Sequence, residues 1–289
     1  MTSSGTQDLR HLFDLEPHGP DTFVGAGPRY PWGGLYGGQI VAQALHAASS
    51  TVDDDLEPHS LRAYFIRRGD HTEPVRYEVD RIRNGRSFAT RRVVARQAVG
   101  AILNLEASFQ RAEGTVDVTT VPMGTGLPHP DTLPKSSWTE SFDRRWVPTE
   151  AIGAAGRDGT GRVAAWLKVT DHLGDDQLLQ RCWLAYLSDD LPTDSVGQAL
   201  RLWDADSAGA AVGAQGAGTE EDRWDGVMSA SLDHTIWFHR PVRADEWHLH
   251  DFSCHGYVGA RGLSIGHIFS IDGLHVATVA QEVLLRPAR

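Results

Sequence analysis

A glutamine on an apolar strand face is the residue of this chain most in need of a chemical explanation. Gln281 shares one face of an alternating run with Ala277, Val279, Val283 and Leu285. An amide buried there without partners costs about 1–3 kcal/mol. Gln281 therefore either caps a buried backbone group or holds something in a site. Asp189 poses a similar question, because it directly follows an apolar stripe ending at Tyr186 and Leu187, just before Pro192. Helix-end chemistry is one reading, and a carboxylate that takes a proton is the other. The third candidate is Gly33-Gly34-Leu35-Tyr36-Gly37-Gly38. It lacks the Gly-Lys-Ser/Thr ending of a phosphate loop. Its chemistry would be free N–H groups at a helix N-terminus, which suit an oxyanion. Close packing of a helix on a sheet is the alternative.

Three louder patterns carry less. Gly262-Leu263-Ser264-Ile265-Gly266 spells the nucleophile elbow, but that mechanism needs a strand before the serine, a helix after it, and then an acid and a histidine. Here strand patterns surround it, close to the end of the chain. His248, His250 and Cys254 share a strand face, yet no fourth ligand is placed by spacing, so no metal site is expected. Asp233 and His234 are adjacent on a strand, point to opposite faces, and cannot act together as orienter and base.

Two helices and two sheets must position these residues. Ile40, Val41, Ala44, Leu45 and Ala48 fall at i, i+1, i+4, i+5 and i+8, one face of a helix. Leu178, Leu179, Cys182, Trp183, Tyr186 and Leu187 repeat that stripe. A short helix is expected around Asp8 to Leu15. Alternation such as Ala101, Leu103, Leu105, Ala107 and Phe109 predicts strands up to Arg111, and further runs are expected at 229–240, 247–258, 261–271 and 274–286. At an offset of 175, Arg86 meets Arg261, Glu106 meets Gln281 and Arg111 meets Arg286. This makes a duplicated α+β unit: residues 1–114, a Thr/Pro/Gly-rich linker over 115–140, and residues 141–289. Ser207 to Thr219 is an Ala/Gly tract without periodicity, expected to be a mobile loop.

Composition narrows the partners. The 289 residues are 40% hydrophobic and 22% charged, with a net charge of −11, enough apolar content for a sizeable core and unsuited to nucleic acid or an anionic membrane. No apolar run reaches the roughly 20 residues of a membrane span, and no leader is evident, so a soluble cytoplasmic protein is expected. The charge is uneven: from His59 to Arg111 there are eleven Arg against five acids. That field could hold a phosphorylated small molecule, or simply be a set of solvated sheet faces.

Gly37-Gly38-Gln39-Ile40-Val41-Ala42-Gln43-Ala44, the stretch His59-Ser60 to Gly69-Asp70, and Arg83-Asn84-Gly85-Arg86-Ser87-Phe88 resemble the first half of type II (TesB-like) acyl-CoA thioesterases. Leu232-Asp233-His234-Thr235-Ile236-Trp237-Phe238-His239-Arg240-Pro241 and the surroundings of Gln281-Glu282 resemble the second half. The resemblance implies a double hotdog, two helices each wrapped in an antiparallel sheet. It implies hydrolysis of acyl-CoA to fatty acid and CoA without cofactor or metal, by water set between Asp189, Ser231 and Gln281. Asp190 is the competing base. Gly37, Gly38, His59 and Arg86 are placed with the substrate, a structural role for His59 remaining open. Aligning Gly38-Gln39 with Ser188-Asp189 puts Gln39 and Glu106 where the second half has Asp189 and Gln281, which leaves one competent site per chain. A hotdog enoyl-CoA hydratase and a non-catalytic acyl-CoA-binding protein are the rivals. Free sheet edges point to a homo-oligomer.

Overall fold

The computed structural model describes residues 11–30, 32–153, 161–207 and 227–287, with backbone alone for 202–207. Its elements in chain order are β1 (Glu16–Pro17), β2 (Thr22–Gly25), α1 (Gly37–Ser49), β3 (Leu56–Phe65), β4 (Val75–Asn84), β5 (Phe88–Gln97) and β6 (Gly100–Arg111). The second half follows as β7 (Phe142–Trp146), β8 (Val163–Val169), α2 (Gln177–Leu187), α3 (Pro192–Ser207), β9 (Val227–Ser231), β10 (Asp233–Phe238), β11 (His248–Val258), β12 (Arg261–Ser270) and β13 (His275–Pro287). The strands form one sheet in the order β1-β2-β4-β5-β6-β3-β10-β13-β12-β11-β8-β7, with β9 paired to β13 off that path.

The two half-sheets fuse where β3 and β10 pair antiparallel, Tyr64 opposite Asp233 and Ser60 opposite Trp237. Alternation explains which face is covered. On β6, Leu103, Leu105, Ala107 and Phe109 are buried, while Glu106 is exposed. On β13, Ala277, Val279, Gln281, Val283 and Leu285 all point inward. The main core runs under both halves with α1 and α2 within it, while Val283 and Leu285 join a smaller cluster with Val196 and Cys254. Ten of the thirteen α1 residues are buried, so the helix is clothed on nearly every side. Two buried glutamines pin these helices to neighbouring loops. Gln43 donates to Leu12 O and Ala26 O. Gln180 donates to Gly174 O and accepts from Ala244 N–H. This is the double hotdog architecture, with both wraps drawn from one sheet.

The helices run antiparallel. Gly38 at the start of α1 abuts Tyr186 near the end of α2, while Ser49 and Val52 share a groove with Asp176 and Gln177. The counterpart of α1 is thus α2, and Ser188-Asp189 lies beyond the end of α2, not at its start. The alignment of Gly38-Gln39 with Ser188-Asp189 is therefore displaced by a whole helix. Glu106 faces solvent, and Gln39 is buried against Gln43.

Several elements escape a reading of periodicity. The short outer strands β1, β2, β7 and β8, of two, four, five and seven residues, precede the helices and hold too few clean alternations to register. Pro192 opens α3, since a missing N–H costs nothing in a first helical turn. The expected strand over 229–240 breaks at Leu232, whose N–H turns to Glu282 O. Residues 11–15 form no helix, and residues 8–10 and 208–219 lie outside the described residues. The segment between β6 and β7 holds one 3₁₀ turn at Pro130–Thr132. It lies over the second half, where Val121, Met123, Leu127 and Leu133 pack on Trp166, Trp247, Leu249 and Phe269. No helix among the described residues is long and apolar enough to cross a membrane.

Candidate active site

Three elements converge on Asp189. The end of α2 delivers it, since Ser188 is the C-cap and the chain turns there toward α3. β9 delivers Ser231, which pairs with Val283 on β13 and so stands beside Gln281. The N-terminus of α1 closes the third side: a Cβ on Gly37 would sit 2.5 Å from Asp189 Oδ2, and Gly38 N–H donates to the Asp189 carboxylate. The polar groups form one continuous chain. Gln281 Nε2 donates to Ser231 Oγ at 2.8 Å, and Ser231 Oγ donates to Asp189 Oδ1 at 3.2 Å. Behind them, His234 Nδ1 meets Gln281 Oε1 at 2.6 Å, and Ser188 Oγ meets His234 Nε2 at 2.9 Å. Because the Gln281 amide nitrogen faces Ser231, its oxygen must accept, and an N–H at His234 Nδ1 meets that need.

Burial dominates the electrostatics. Desolvation raises the Asp189 carboxyl above the ordinary aspartate range, while His234, Gln281, Ser231 and the Gly38 N–H pull partly the other way. Tyr36 and Tyr186 pack alongside, their rings 4.8 Å apart, and both phenols are pushed well above their usual range. Asp190 points elsewhere. Arg144 Nη1 lies 2.9 Å from Asp190 Oδ2, both side chains deeply buried, and the half-buried Trp138 donates from Nε1 to Oδ1. Adjacent in sequence, the two carboxylates have separate partners.

The other expected residues lie apart. His59 is on β3, bonded to Ser108 Oγ and edge-on to Phe88. It is six residues, about 20 Å of strand, from Phe65, which abuts Gly37. Arg86 is exposed in the β4–β5 hairpin, at that same remote end of the sheet. Ser264, the centre of the apparent elbow, sits mid-strand with its hydroxyl 2.7 Å from Ser195 Oγ. Burial pushes His248 down to about 4 and His250 to about 3, so both stay neutral. His234 was missed as a site member. It does not pair with Asp233, as alternation predicts, yet the same alternation puts it on the inner face beside Gln281, which was the available signal.

Residues 27–110 match the model of the acyl-CoA thioesterase N-terminal domain, and residues 117–285 that of the C-terminal domain. This chain belongs to the acyl-CoA thioesterase family. It is 31% identical to acyl-CoA thioesterase 2 of Haemophilus influenzae, over 96% of this chain and 97% of that protein. An acyl-CoA thioesterase II from Mycobacterium marinum, a solved structure, is 33% identical with 97% of each chain covered and a TM-score of 0.76. A hot dog fold protein from Alicyclobacillus acidocaldarius matches at a TM-score of 0.73 and 20% identity over 96% of this chain and 99% of that one, a likeness of fold.

This thioesterase-family chain also carries the mirror image of its site, without the chemistry. Thr51 follows α1 as Asp189 follows α2. Arg91 and Ala107 pair across β5 and β6 as Ser264 and Gln281 pair across β12 and β13. Arg91 fills that position, bonded to Thr51 Oγ1, Thr51 O and Arg83 O. The Asp189 cluster also depends on α1 lying tight against α2. A Cβ on Gly38 would overlap the Tyr186 carbonyl oxygen and the Tyr36 ring. Gly38→Ala is expected to cost about 1–3 kcal/mol, the usual cost of overpacking. A thermal melt would show this as a clear loss, and an unchanged melt would contradict the tight contact.

Proposed function

We propose that this chain hydrolyses acyl-CoA thioesters to free acid and CoA, with Asp189, Ser231 and Gln281 positioning and activating the water. The observation that carries this reading is the unbroken hydrogen-bonded path from Gln281 through Ser231 to Asp189 in a member of this family. Asp189 takes a proton from water as the oxygen attacks the thioester carbonyl carbon. The tetrahedral intermediate then breaks its C–S bond, and the departing thiolate recovers the proton from Asp189. Ser231 and Gln281 hold the water's direction, and His234 holds the Gln281 amide in the orientation that donates to Ser231. The α1 N-terminus, through Gly37 and Gly38, favours negative charge at this point. A raised Asp189 carboxyl suits a base working near neutrality better than an ordinary aspartate would.

A hydratase would need an aspartate and a histidine acting together on the substrate. Both ring nitrogens of His234 are engaged by Ser188 and Gln281, which favours hydrolysis. We place the enzyme in the cytoplasm as a homo-oligomer, with units over 1–114 and 141–289 and a linker between. The break between the matched segments, after 110 and before 117, supports two units, while residues from 117 on fall within the second match and pack on the second half. The decisive experiment follows free-thiol release from short, medium and long acyl-CoAs. Turnover peaking at one chain length is expected. No release by folded protein across the panel would overturn hydrolysis, leaving hydration or binding.

A further inference from the structure

We infer that Arg67 and Arg68, just past the end of β3, form the docking point for the phosphates of the CoA head group. This rests on the acyl-CoA reading and adds a location to it. Of the eleven Arg between His59 and Arg111, six hold carboxylates: Arg62 with Asp233, Arg76 and Arg96 with Glu78, Arg81 with Asp21, Arg92 with Asp80, and Arg111 with Asp55. Arg91 is buried at the mirror position, and Arg83 and Arg86 lie at the remote hairpin. Arg67 and Arg68 remain. Both are exposed, and neither forms an ion pair among the described residues. Each is instead aimed by one carbonyl, Arg67 by Ala101 O and Arg68 by Trp32 O, both at 2.9 Å. Nearby acids are occupied: Asp70 accepts from Thr72 N–H and hydroxyl, and Glu73 accepts from Ala98 N–H.

Their position fits the ligand's length. The Arg68 guanidinium lies over Gly33 and Gly34, where a Cβ on Gly34 would come within 2.7 Å of Nε. Gly34 is three residues from Gly37, whose Cα borders Asp189, so the guanidinium lies within about 15 Å of the carboxylate. The pantetheine arm between thioester sulfur and pyrophosphate spans thirteen bonds, the backbone of about four extended residues, or about 14 Å. A thioester at Asp189 thus brings the pyrophosphate to Arg68 and Arg67, whose forks match phosphate oxygens.

The test compares acyl-CoA with the matching acyl-pantetheine, which lacks the phosphates. In the full chain, Arg67→Ala with Arg68→Ala should raise KM for acyl-CoA about 10–100-fold, leave kcat nearly unchanged, and leave KM for acyl-pantetheine where it was. Arg68→Lys should recover part of the loss. Calorimetric titration with CoA itself reads docking without turnover, and the double variant should bind at least about tenfold more weakly. Should thiol release fail with both substrates while wild type binds CoA and the variant does not, the hydrolysis reading falls and the docking point stands. Equal changes with both substrates, no change with acyl-CoA, or no CoA binding by wild type would overturn it.

Discussion

Asp189→Asn should remove thioester turnover while making the folded chain harder to unfold. The asparagine keeps the shape and a hydrogen-bonding oxygen for Ser231, but it cannot take a proton from water. A general base is worth about 10²–10⁴-fold, and a loss in that range is expected in kcat. The stability gain follows from linkage. Burial raises the folded-state carboxyl above its unfolded value of 3.8. Between those two values the native state keeps a proton that the unfolded chain has released, so stability falls as pH rises through that window and stays reduced above it. Asparagine removes that penalty. The variant should therefore melt above wild type at pH 7, and the difference should vanish below about pH 4, where both forms are neutral. Activity has the opposite dependence: kcat/KM for wild type should climb with pH through the raised carboxyl value, above the ordinary aspartate range. A kcat within tenfold of wild type would falsify the assignment of the base.

The largest stability effect is expected from Arg144→Leu. Arg144 and Asp190 each expose only 4% of their side chains, and the guanidinium also donates from Nε to Ser136 O. Removing one partner of a buried pair leaves a charge in low dielectric and costs about 3–5 kcal/mol. In urea unfolding, that loss should appear as a lower midpoint with an unchanged slope. The unpaired Asp190 carboxylate would also stand next to Asp189 and push its proton affinity further up, moving the acid limb of the pH–rate profile to higher pH. Replacing Asp190 by Leu in the same chain should restore most of the stability, because an apolar pair of similar volume replaces the ion pair at little cost. A single-variant loss below about 1 kcal/mol would show that the pair is wetter than its burial implies.

Local chemistry alone determined a good deal of this protein. The i, i+1, i+4, i+5 stripes marked α1 and α2, the alternation marked β6 and β10 to β13, and the near-constant offset revealed a repeated unit. These are legible because a side chain's face depends on its own backbone period, which spacing records. Gln281 stood out for the same reason, as a polar group at a position whose period demands burial. The family motifs then pointed to Asp189 and Ser231.

Only the folded chain decided how those residues are partnered. Asp189 and Asp190 are equivalent on paper; the turn after α2 sends one to Ser231, 42 residues away, and the other to Arg144, 46 residues back. His234 gains its meaning from Ser188 and Gln281, which lie 46 and 47 residues from it. Among eleven arginines, ion pairing across strands leaves Arg67 and Arg68 available near the site, while Arg86 is carried to the far hairpin. Sequence spacing reports the direction of each side chain from its own segment. Which charge neutralises which is settled where segments distant in sequence meet, because desolvation penalises every buried polar group that fails to find a partner there.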